Sequence, residues 1–389
     1  MTTLTPQQAE REARQALAAN QFETAEALAR ALLAGGRGPL QIWALLATAL
    51  RRQGRIEETR TIQQMLVDAA PQNVELRFDL AETLLLQGEF DRGWREYRFR
   101  YSLPHTTRLE RHVQTPRWEG EPLPGKTLLI HDEQGYGDTF QFLRMVPWAK
   151  KKSGARVVLQ ISRELYPFAR RMKGIDALVV RGEVPPPFDT HCEMMSLPMA
   201  MGLKMTDLPG RIPYLSLDQA RVRHWRKRLA DLPGPRVALV WAGRPNHFND
   251  ANRSVRLPDL AGLGMPDVTF LAVQQGPKAV EAASPPAGMR LVDLSGEIRD
   301  FDDTAAILSV IDLLISVDSS PVHLAGALGR PAWVMLPFIP DWRWLMKRAD
   351  TPWYPSLRLF RQPAWGDWPA VVQAMAEELA QLRQASALS

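Results

Sequence analysis

The 389-residue sequence contains one cysteine, Cys192, and no long apolar run. A single cysteine cannot form a disulfide within the chain, which excludes a disulfide-stabilised scaffold and leads us to expect a cytoplasmic protein. No stretch reaches the roughly 18 to 20 consecutive apolar residues that a membrane-spanning helix needs. The first residues, MTTLTPQQAEREARQAL, lack the basic start and apolar core of a secretory signal, so we expect none.

Lysine is scarce as well. Only nine of the 48 basic residues are lysines, so arginine carries most of the positive charge. Arginine suits bidentate contacts with phosphates and carboxylates. A net charge of +5 is small for this length, and no nucleic-acid partner is expected. The hydrophobic content of 45% is ordinary for a folded protein, and the length predicts two or three domains.

The N-terminal third contains an internal repeat with a spacing of 34 residues. A small residue recurs at Ala13, Ala47 and Ala81. A residue suited to a tight turn recurs at Asn20, Gly54 and Gly88, and an apolar residue recurs at Phe22, Ile56 and Phe90. A 34-residue period of helix, turn and helix is typical of tetratricopeptide repeats. We therefore predict about three repeats over residues 1–105, in preference to a non-repeating helical bundle. A stack of three needs a surface to cover its last member, and the aromatic segment GWREYRFRYSL is the predicted junction.

From Lys126 onward, short apolar runs alternate with helical patterns. The predicted strands are KTLLIHD, ARVVLQI, DALVVRG, RVALVWAG, VTFLAVQ, MRLVDLSG, LLISVDSS, PAWVMLP and SLRLFRQ. This alternation indicates parallel sheets that bind ligands at the carboxyl ends of their strands. The Pro- and Gly-rich stretch ADLPGPR divides the region, which predicts two Rossmann-like domains at residues 106–230 and 231–389. The last segment is a predicted helix that could cross back to the first domain.

In the first half, HDEQGYGDTFQF follows a predicted strand directly. Gly135 and Gly137 stand where the strand turns into a helix, which lets backbone N–H groups approach an anion. The third glycine of a dinucleotide fingerprint would fall on Phe140, so a nicotinamide enzyme is not expected. Asp138 lies at the predicted helix start, and its chemistry fits a helix cap or a catalytic base equally well.

In the second half, ISVDSSPVHLAGALGRP is the densest signal. A buried strand ends at Val317, and Asp318, Ser319 and Ser320 then lead into a helix that carries His323. Small hydroxyl residues at such a turn predict an anion pocket, which His323 could reach. A histidine of this kind, taken alone, would more often be a helix residue with ordinary partners.

The loop VWAGRPNHFNDANRSVR follows another predicted strand and is rich in arginine. Its polar residues are Arg244, Asn246, His247, Asn249, Arg253 and Arg256. They suit phosphate binding, and a solvated surface loop is the alternative. Asn246 and, after the next predicted strand, Gln274 are further candidates for donor or acceptor contacts.

Other chemistries find little support. Asp300 and Asp302 form an Asp-x-Asp pattern, but together with Asp303 they precede an apolar helical run and are better explained as helix caps. The seven histidines lack zinc-ligand spacing, and neither a G-x-S-x-G elbow nor a P-loop occurs. We therefore expect no metal and no cofactor.

The motifs EQGYGDTFQF, VWAGRPNHFNDANRS, ISVDSSPVHLAGALGRP and LPFIPDWRW resemble those of bacterial tetratricopeptide proteins with a glycosyltransferase domain. That domain resembles the heptosyltransferase family and, more distantly, O-linked N-acetylglucosamine transferases. The resemblance implies a GT-B fold and an inverting, metal-independent sugar transfer. It implies that Asp138 is the general base, that Asp318, Ser319, Ser320 and His323 form the donor pocket, and that Arg253 contacts the diphosphate.

The expected function is transfer of a sugar from a nucleotide-sugar donor to a protein or glycan. The repeats would recruit the acceptor, which could be a flagellin-like protein. Two alternatives remain open. One is a non-catalytic scaffold with a degenerate transferase domain, and the other is a GT-B sugar-nucleotide epimerase.

Overall fold

A computed structural model describes residues 5–36, 38–103, 115–247 and 249–387 of the chain. The predicted boundary between residues 105 and 106 lies outside these residues. The α-helices are α1 Pro6–Ala18, α2 Phe22–Leu32, α3 Leu40–Arg52, α4 Ile56–Ala69, α5 Val74–Leu86, α6 Phe90–Tyr97, α7 Tyr136–Phe142, α8 Val146–Ser153, α9 Tyr166–Arg170, α10 Leu197–Met201, α11 Gln219–Arg228, α12 Asp250–Arg253, α13 Phe301–Val310, α14 Ser320–Ala327 and α15 Trp368–Ala387. In the described part of the chain, no helix has the length and hydropathy required to cross a bilayer.

The strands belong to two sheets. They are β1 Thr127–His131, β2 Arg156–Ile161, β3 Ala177–Val180, β4 Thr190–Glu193, β5 Arg236–Val240, β6 Thr269–Ala272, β7 Arg290–Asp293, β8 Leu313–Val317, β9 Ala332–Leu336 and β10 Leu357–Arg361. The chain forms two compact units, one with α1–α6 and one with both sheets.

The helical unit repeats every 34 residues, as the sequence predicts. Helices α1, α3 and α5 begin 34 residues apart, and so do α2, α4 and α6. The small positions are buried because a larger side chain there would keep the paired helices apart, and Ala13 and Ala81 have no exposed surface. The turn residues Asn20, Gly54 and Gly88 all have positive φ, a conformation that glycine and asparagine tolerate best. The helical period is confirmed, while the assignment to the tetratricopeptide class stays a prediction.

A second piece of chain, Ile339–Met346, belongs to this helical unit. Its Trp342 is only 2% exposed. The indole ring contacts Trp94 edge-on at 5.1 Å between centroids and Tyr97 at 5.8 Å. The aromatic segment predicted as a junction is therefore covered by a segment from much later in the sequence.

The other unit contains two parallel sheets with strand orders β3-β2-β1-β4 and β10-β9-β8-β5-β6-β7. All nine predicted strands are present, and β4 is a tenth that the sequence did not predict. Strands β8 and β9 are buried at every position, as expected for parallel strands covered on both faces. Two such sheets in one unit confirm the predicted fold class, helical repeats followed by an α/β region of GT-B type.

The predicted boundary at residues 230 and 231 stays a prediction, and the contacts of α11 favour a boundary before that helix. Trp225 of α11 donates a 2.9 Å hydrogen bond from Nε1 to Asp303 of α13, and Arg228 pairs with Glu297. Helix α11 therefore packs against α13, in the second half of the α/β unit. The buried residues of α15, among them Met375, also join the core of the second sheet, so within the described residues this helix stabilises the second half.

Trp342 provides a test of the two-segment helical unit. Trp342→Ala should destabilise this unit by about 3 to 5 kcal/mol, since it removes a buried indole between two aromatic rings. The loss should appear in the helical signal during urea unfolding. Val280→Ala, at a side chain that is 75% exposed, is the control and should change stability by less than about 0.5 kcal/mol. A wild-type unfolding midpoint for Trp342→Ala would contradict the assignment.

Candidate active site

The start of α7 positions Asp138. Gly135 is the N-cap residue, and one oxygen of the Asp138 carboxylate, Oδ2, accepts the Gly135 N–H at 3.0 Å. Asp138 is half-buried at the carboxyl end of β1. Helix capping by Asp138 is thus seen directly. The other predicted role of Asp138, that of a base, stays a prediction.

Gly137 is required by a close approach between two helices. A Cβ atom on residue 137 would lie 2.8 Å from Cδ2 of His323 and 3.6 Å from the Cα of Ser320. The first turn of α7 therefore packs directly against the first turn of α14. This contact brings the residue beside Asp138 to the ring of His323, and so joins two motifs that are far apart in the sequence.

The turn between β8 and α14 contains the predicted donor residues. Ser319 is the N-cap of α14, but its side chain does not cap the helix, and its hydroxyl lies 3.2 Å from that of Ser316. Ser320 is the first helical residue and is half-buried. Pro321, the next residue, has no N–H. The helix N-terminus thus offers hydroxyl groups and the positive end of its dipole to a ligand.

His323 lies one turn into α14 and is only 3% exposed. Its Nδ1 atom is 3.0 Å from the hydroxyl of Tyr354. Its Nε2 atom is 3.8 Å from Oδ1 of Asp318, the residue that follows β8. The ring is thus held on both sides, with Nε2 facing the turn that carries Asp318.

Arg253 reaches the same turn from the loop after β5. Its Nη1 atom donates a 2.9 Å hydrogen bond to the carbonyl of Asp318, and its Nε atom lies 3.3 Å from Asp250. A Cβ atom on Gly243 would lie 2.4 Å from Nη2 of Arg253, so the glycine makes room for the guanidinium. The structure therefore brings Arg253, Asp318, Ser319, Ser320 and His323 together.

Two other predicted contacts have different surroundings. Asn246 is exposed in the loop after β5. Gln274 is buried, and its carboxamide oxygen accepts the N–H groups of Trp241 and Ala242 at 3.0 and 2.9 Å. Its amide nitrogen donates to the carbonyls of Ala242 and Gln275. Gln274 thus stabilises the ends of β5 and β6, and its proposed contact with a ligand stays a prediction.

The aspartates of the Asp-x-Asp pattern have partners within the protein. Asp300 is the N-cap of α13, and its Oδ1 accepts the N–H of Asp303 at 3.0 Å, which confirms the capping interpretation for Asp300. Asp302 pairs with Arg171, and Asp303 with Arg221. Burial tends to raise the pKa of Asp303, but hydrogen bonds and the charge of Arg221 outweigh it and hold this pKa below its usual range.

Among the described residues, one histidine and carboxylate group has a spacing that could suit a metal. His131, His191 and Glu193 are buried, and their ligand atoms lie within 4.8 Å of one another. Adjacent strands β1 and β4 place them on one face of the sheet, with His131 opposite Glu193. However, Arg117 donates a 2.7 Å hydrogen bond from Nε to Glu193. A guanidinium in this position already balances the carboxylate charge and disfavours a cation.

Arg144, which follows α7, is not predicted from the sequence and is only 3% exposed. Its guanidinium donates to three backbone carbonyls, those of Gln141 at 3.0 Å, Pro209 at 3.0 Å and Trp353 at 2.8 Å. These carbonyls come from distant parts of the chain. The only signal in the sequence is a basic residue inside the apolar run FQFLRMVPWA.

Aromatic side chains surround the same guanidinium. Its central carbon lies 4.6 Å from the ring centroid of Tyr214 and 4.7 Å from that of Tyr354. Nη2 of Arg144 donates to the Tyr214 hydroxyl at 3.1 Å, and that hydroxyl donates to the carbonyl of Phe140 at 2.7 Å. Tyr354, the partner of His323, is therefore in contact with a buried positive charge.

Comparison with solved structures gives several weak matches. A family 9 glycosyltransferase from Veillonella parvula has a TM-score of 0.49 and 11% identity, over 69% of this chain and 98% of that one. ADP-heptose lipopolysaccharide heptosyltransferase II from E. coli has a TM-score of 0.48 and 13% identity, over 66% and 99%. A Thermobaculum terrenum O-GlcNAc transferase mutant matches over 99% of this chain and 92% of that one, with a TM-score of 0.28 and 14% identity.

The sequence itself is related to Protein FlbA of Caulobacter vibrioides, with 30% identity over 335 residues. The match covers 78% of this chain and 54% of FlbA, so the chain spans about half the length of this relative. Residues 267–333 match the model of glycosyltransferase family 9 (heptosyltransferase). This segment runs from β6 to β9 and contains Asp318, Ser319, Ser320 and His323. The resemblance to the heptosyltransferase family that the motifs predict is confirmed over this segment.

Proposed function

We propose that this protein is an inverting, metal-independent glycosyltransferase that moves a sugar from a nucleotide-sugar donor to a protein or glycan. One observation carries the proposal. The turn between β8 and α14, within the segment that matches family 9, lies beside both the guanidinium of Arg253 and the start of α7. The turn predicted to bind an anion is thus next to a helix start with a half-buried carboxylate, Asp138.

The donor binds at the turn between β8 and α14. Its phosphates meet the Arg253 guanidinium, the Ser320 hydroxyl, the Nε2 side of His323 and the positive end of α14. The carboxylate of Asp318 suits the sugar hydroxyls, because it can only accept hydrogen bonds when ionised. These groups balance the charge of the leaving phosphate and take the place that a divalent cation has in metal-dependent transferases.

Asp138 is the general base in this proposal. Its carboxylate takes the proton from an acceptor hydroxyl, and the hydroxyl oxygen attacks the anomeric carbon from the face opposite the phosphate. The bond between the anomeric carbon and the phosphate oxygen breaks, and the electron pair leaves with the phosphate. Inversion at the anomeric carbon follows from this single displacement.

The helical unit recruits the acceptor. A depression on α1 and α3 is lined by Arg14, Leu17, Ala18, Asn20, Thr48 and Arg52. Helical repeats commonly use such surfaces to bind extended peptides. A protein acceptor therefore fits this architecture, and a flagellin-like protein is one candidate by analogy with other proteins that combine repeats with a transferase domain.

A ligand screen tests the function. UDP-, GDP-, ADP- and CMP-sugars are compared by thermal shift, and one nucleotide class should raise the melting temperature, because a ligand at 100 times its Kd adds about 2.7 kcal/mol of stability. Slow hydrolysis of that sugar without acceptor should follow and should persist in EDTA.

Failure of every donor in both assays would favour the non-catalytic scaffold, and an epimerised product would favour the epimerase. Activity lost in EDTA and restored by manganese would contradict metal independence and implicate Asp300 and Asp302.

Arg253→Ala should weaken binding of the stabilising nucleotide at least about tenfold, since a hydrogen bond to a charged group contributes about 1.5 to 3 kcal/mol. Calorimetric titration measures the affinity. Arg256→Ala is the matched control, because Arg256 comes from the same loop but its side chain is exposed and pairs with Asp259. Equal affinities of Arg253→Ala and wild type would remove Arg253 from the donor site.

Asp138 is tested with two substitutions, because one of its oxygens also caps α7. Asp138→Asn keeps an oxygen for the Gly135 N–H but cannot accept a proton, so turnover should fall by about 10² to 10⁴ with an unchanged melting temperature. Asp138→Ala also loses the cap and should cost about 1 kcal/mol of stability. Turnover and melting are measured for both variants. An active Asp138→Asn enzyme would refute the role as base.

A further inference from the structure

His323 has two neutral forms, and each would present a different group to the donor. With the proton on Nε2, the ring offers a hydrogen-bond donor toward the turn of Asp318. With the proton on Nδ1, it offers a lone pair there, which would repel a phosphate oxygen. The 3.0 Å contact between Nδ1 and the Tyr354 hydroxyl suits either form, because the phenol can donate or accept. The surroundings of Tyr354 therefore decide which form is present.

The positive charge of Arg144 favours Tyr354 as the proton donor in this contact. The guanidinium lies 4.7 Å from the Tyr354 ring centroid in a buried site, where charges act more strongly than in water. A nearby cation makes a phenol O–H a better hydrogen-bond donor. Tyr214, the other phenol beside Arg144, already gives its proton to the carbonyl of Phe140. It therefore has no second proton to give to the oxygen of Tyr354.

The position of the Tyr354 ring is fixed by the backbone of α14. A Cβ atom on Gly326 would lie 2.3 Å from Cδ1 of Tyr354, so the ring packs directly on the helix one turn beyond His323. Tyr354 has no exposed surface. On the other side of the imidazole, Oδ1 of Asp318 lies 3.8 Å from Nε2 and attracts a proton on that nitrogen. Both neighbours of the ring thus favour the same proton position.

We propose that Arg144 and Tyr354 are positioning residues that hold His323 in its neutral Nε2–H form, so that the ring donates a hydrogen bond to the leaving phosphate. The proposal rests on the donor site described under the proposed function. In this arrangement the Tyr354 hydroxyl donates to Nδ1, and the Nε2–H turns from Asp318 to a phosphate oxygen when the donor binds. His323 can therefore stabilise negative charge without first becoming an imidazolium.

Nitrogen NMR of the full-length protein, labelled with ¹⁵N-histidine, tests the proton position without any ligand. The His323 signals are identified by their loss in His323→Gln. We expect the shift of an unprotonated, hydrogen-bond-accepting nitrogen for Nδ1 and that of a protonated nitrogen for Nε2. The opposite pattern in the wild-type protein would overturn the proposal. The NMR measurement needs no enzymatic activity, so its outcome is independent of the proposed function.

Substitutions then test the path through Tyr354. Tyr354→Phe keeps the ring on Gly326 but removes the hydroxyl, and the Nδ1 signal should move away from its hydrogen-bonded position. Tyr214→Phe is the matched control, because it removes the other phenol hydroxyl beside Arg144 but should leave both His323 signals in place. An unchanged Nδ1 signal in Tyr354→Phe would also overturn the proposal.

Kinetics with the donor found by the ligand screen complete the test. Tyr354→Phe should lower kcat by about tenfold and change the donor KM by less than about twofold, because the hydrogen bond matters most when charge develops on the leaving phosphate. A wild-type kcat in Tyr354→Phe would refute the positioning role. If the wild-type protein turns over none of the donors, the proposed function fails, whereas the NMR pattern still decides the proton position.

Discussion

The α/β unit is organised around the buried guanidinium of Arg144, whose hydrogen bonds within the described part of the chain go to carbonyl and phenol oxygens. Removing such a charge from water costs several kcal/mol unless hydrogen bonds replace the lost solvation. Arg144 obtains these bonds from the carbonyls of Gln141, Pro209 and Trp353. Each carbonyl must therefore stay within about 3 Å of the same group. This requirement fixes the position of the end of α7 relative to the segments that precede α11 and β10. It thereby also fixes how the starts of α7 and α14 meet.

Much of this architecture can be predicted because it depends on local patterns. The 34-residue period follows from small and turn residues, and nine strands appear as apolar runs between glycine and proline. Strand β4 was missed because its sequence, THCE, has no apolar run. Neighbouring segments bury this strand. It pairs with β1, its His191 and Glu193 are buried, and Arg117 donates a hydrogen bond to Glu193. Such a strand cannot be recognised without knowing what covers it.

The candidate site likewise contains residues that a local motif predicts and residues that only the fold brings together. Asp318, Ser319, Ser320 and His323 are contiguous, so a strand-to-helix motif predicts their proximity. Arg144 and Tyr354 are 210 residues apart in the numbering, and only the fold brings them together. Gly137 is predicted to let a backbone N–H approach an anion, but in the structure it accommodates the ring of His323. Gly243, for which the sequence predicts no role, makes room for the side chain of Arg253. The side-chain amide of Gln274, a predicted ligand contact, already hydrogen-bonds the backbone, and its contact with a ligand stays a prediction. The sequence identifies polar side chains but does not show which of them already have hydrogen-bond partners within the protein.

The helical unit consists of two stretches of chain, and this limits its modularity. A fragment that stops after the third helix pair would lack Ile339–Met346 and leave the aromatic surface of Trp94 and Tyr97 without Trp342. Conversely, a transferase fragment without the helices would still carry this Trp-rich peptide, now without the partners that bury it. The repeats therefore cannot be exchanged between proteins as a simple N-terminal cassette. Any chimera would have to transfer the distant tryptophan segment together with the helices, as two coupled insertions.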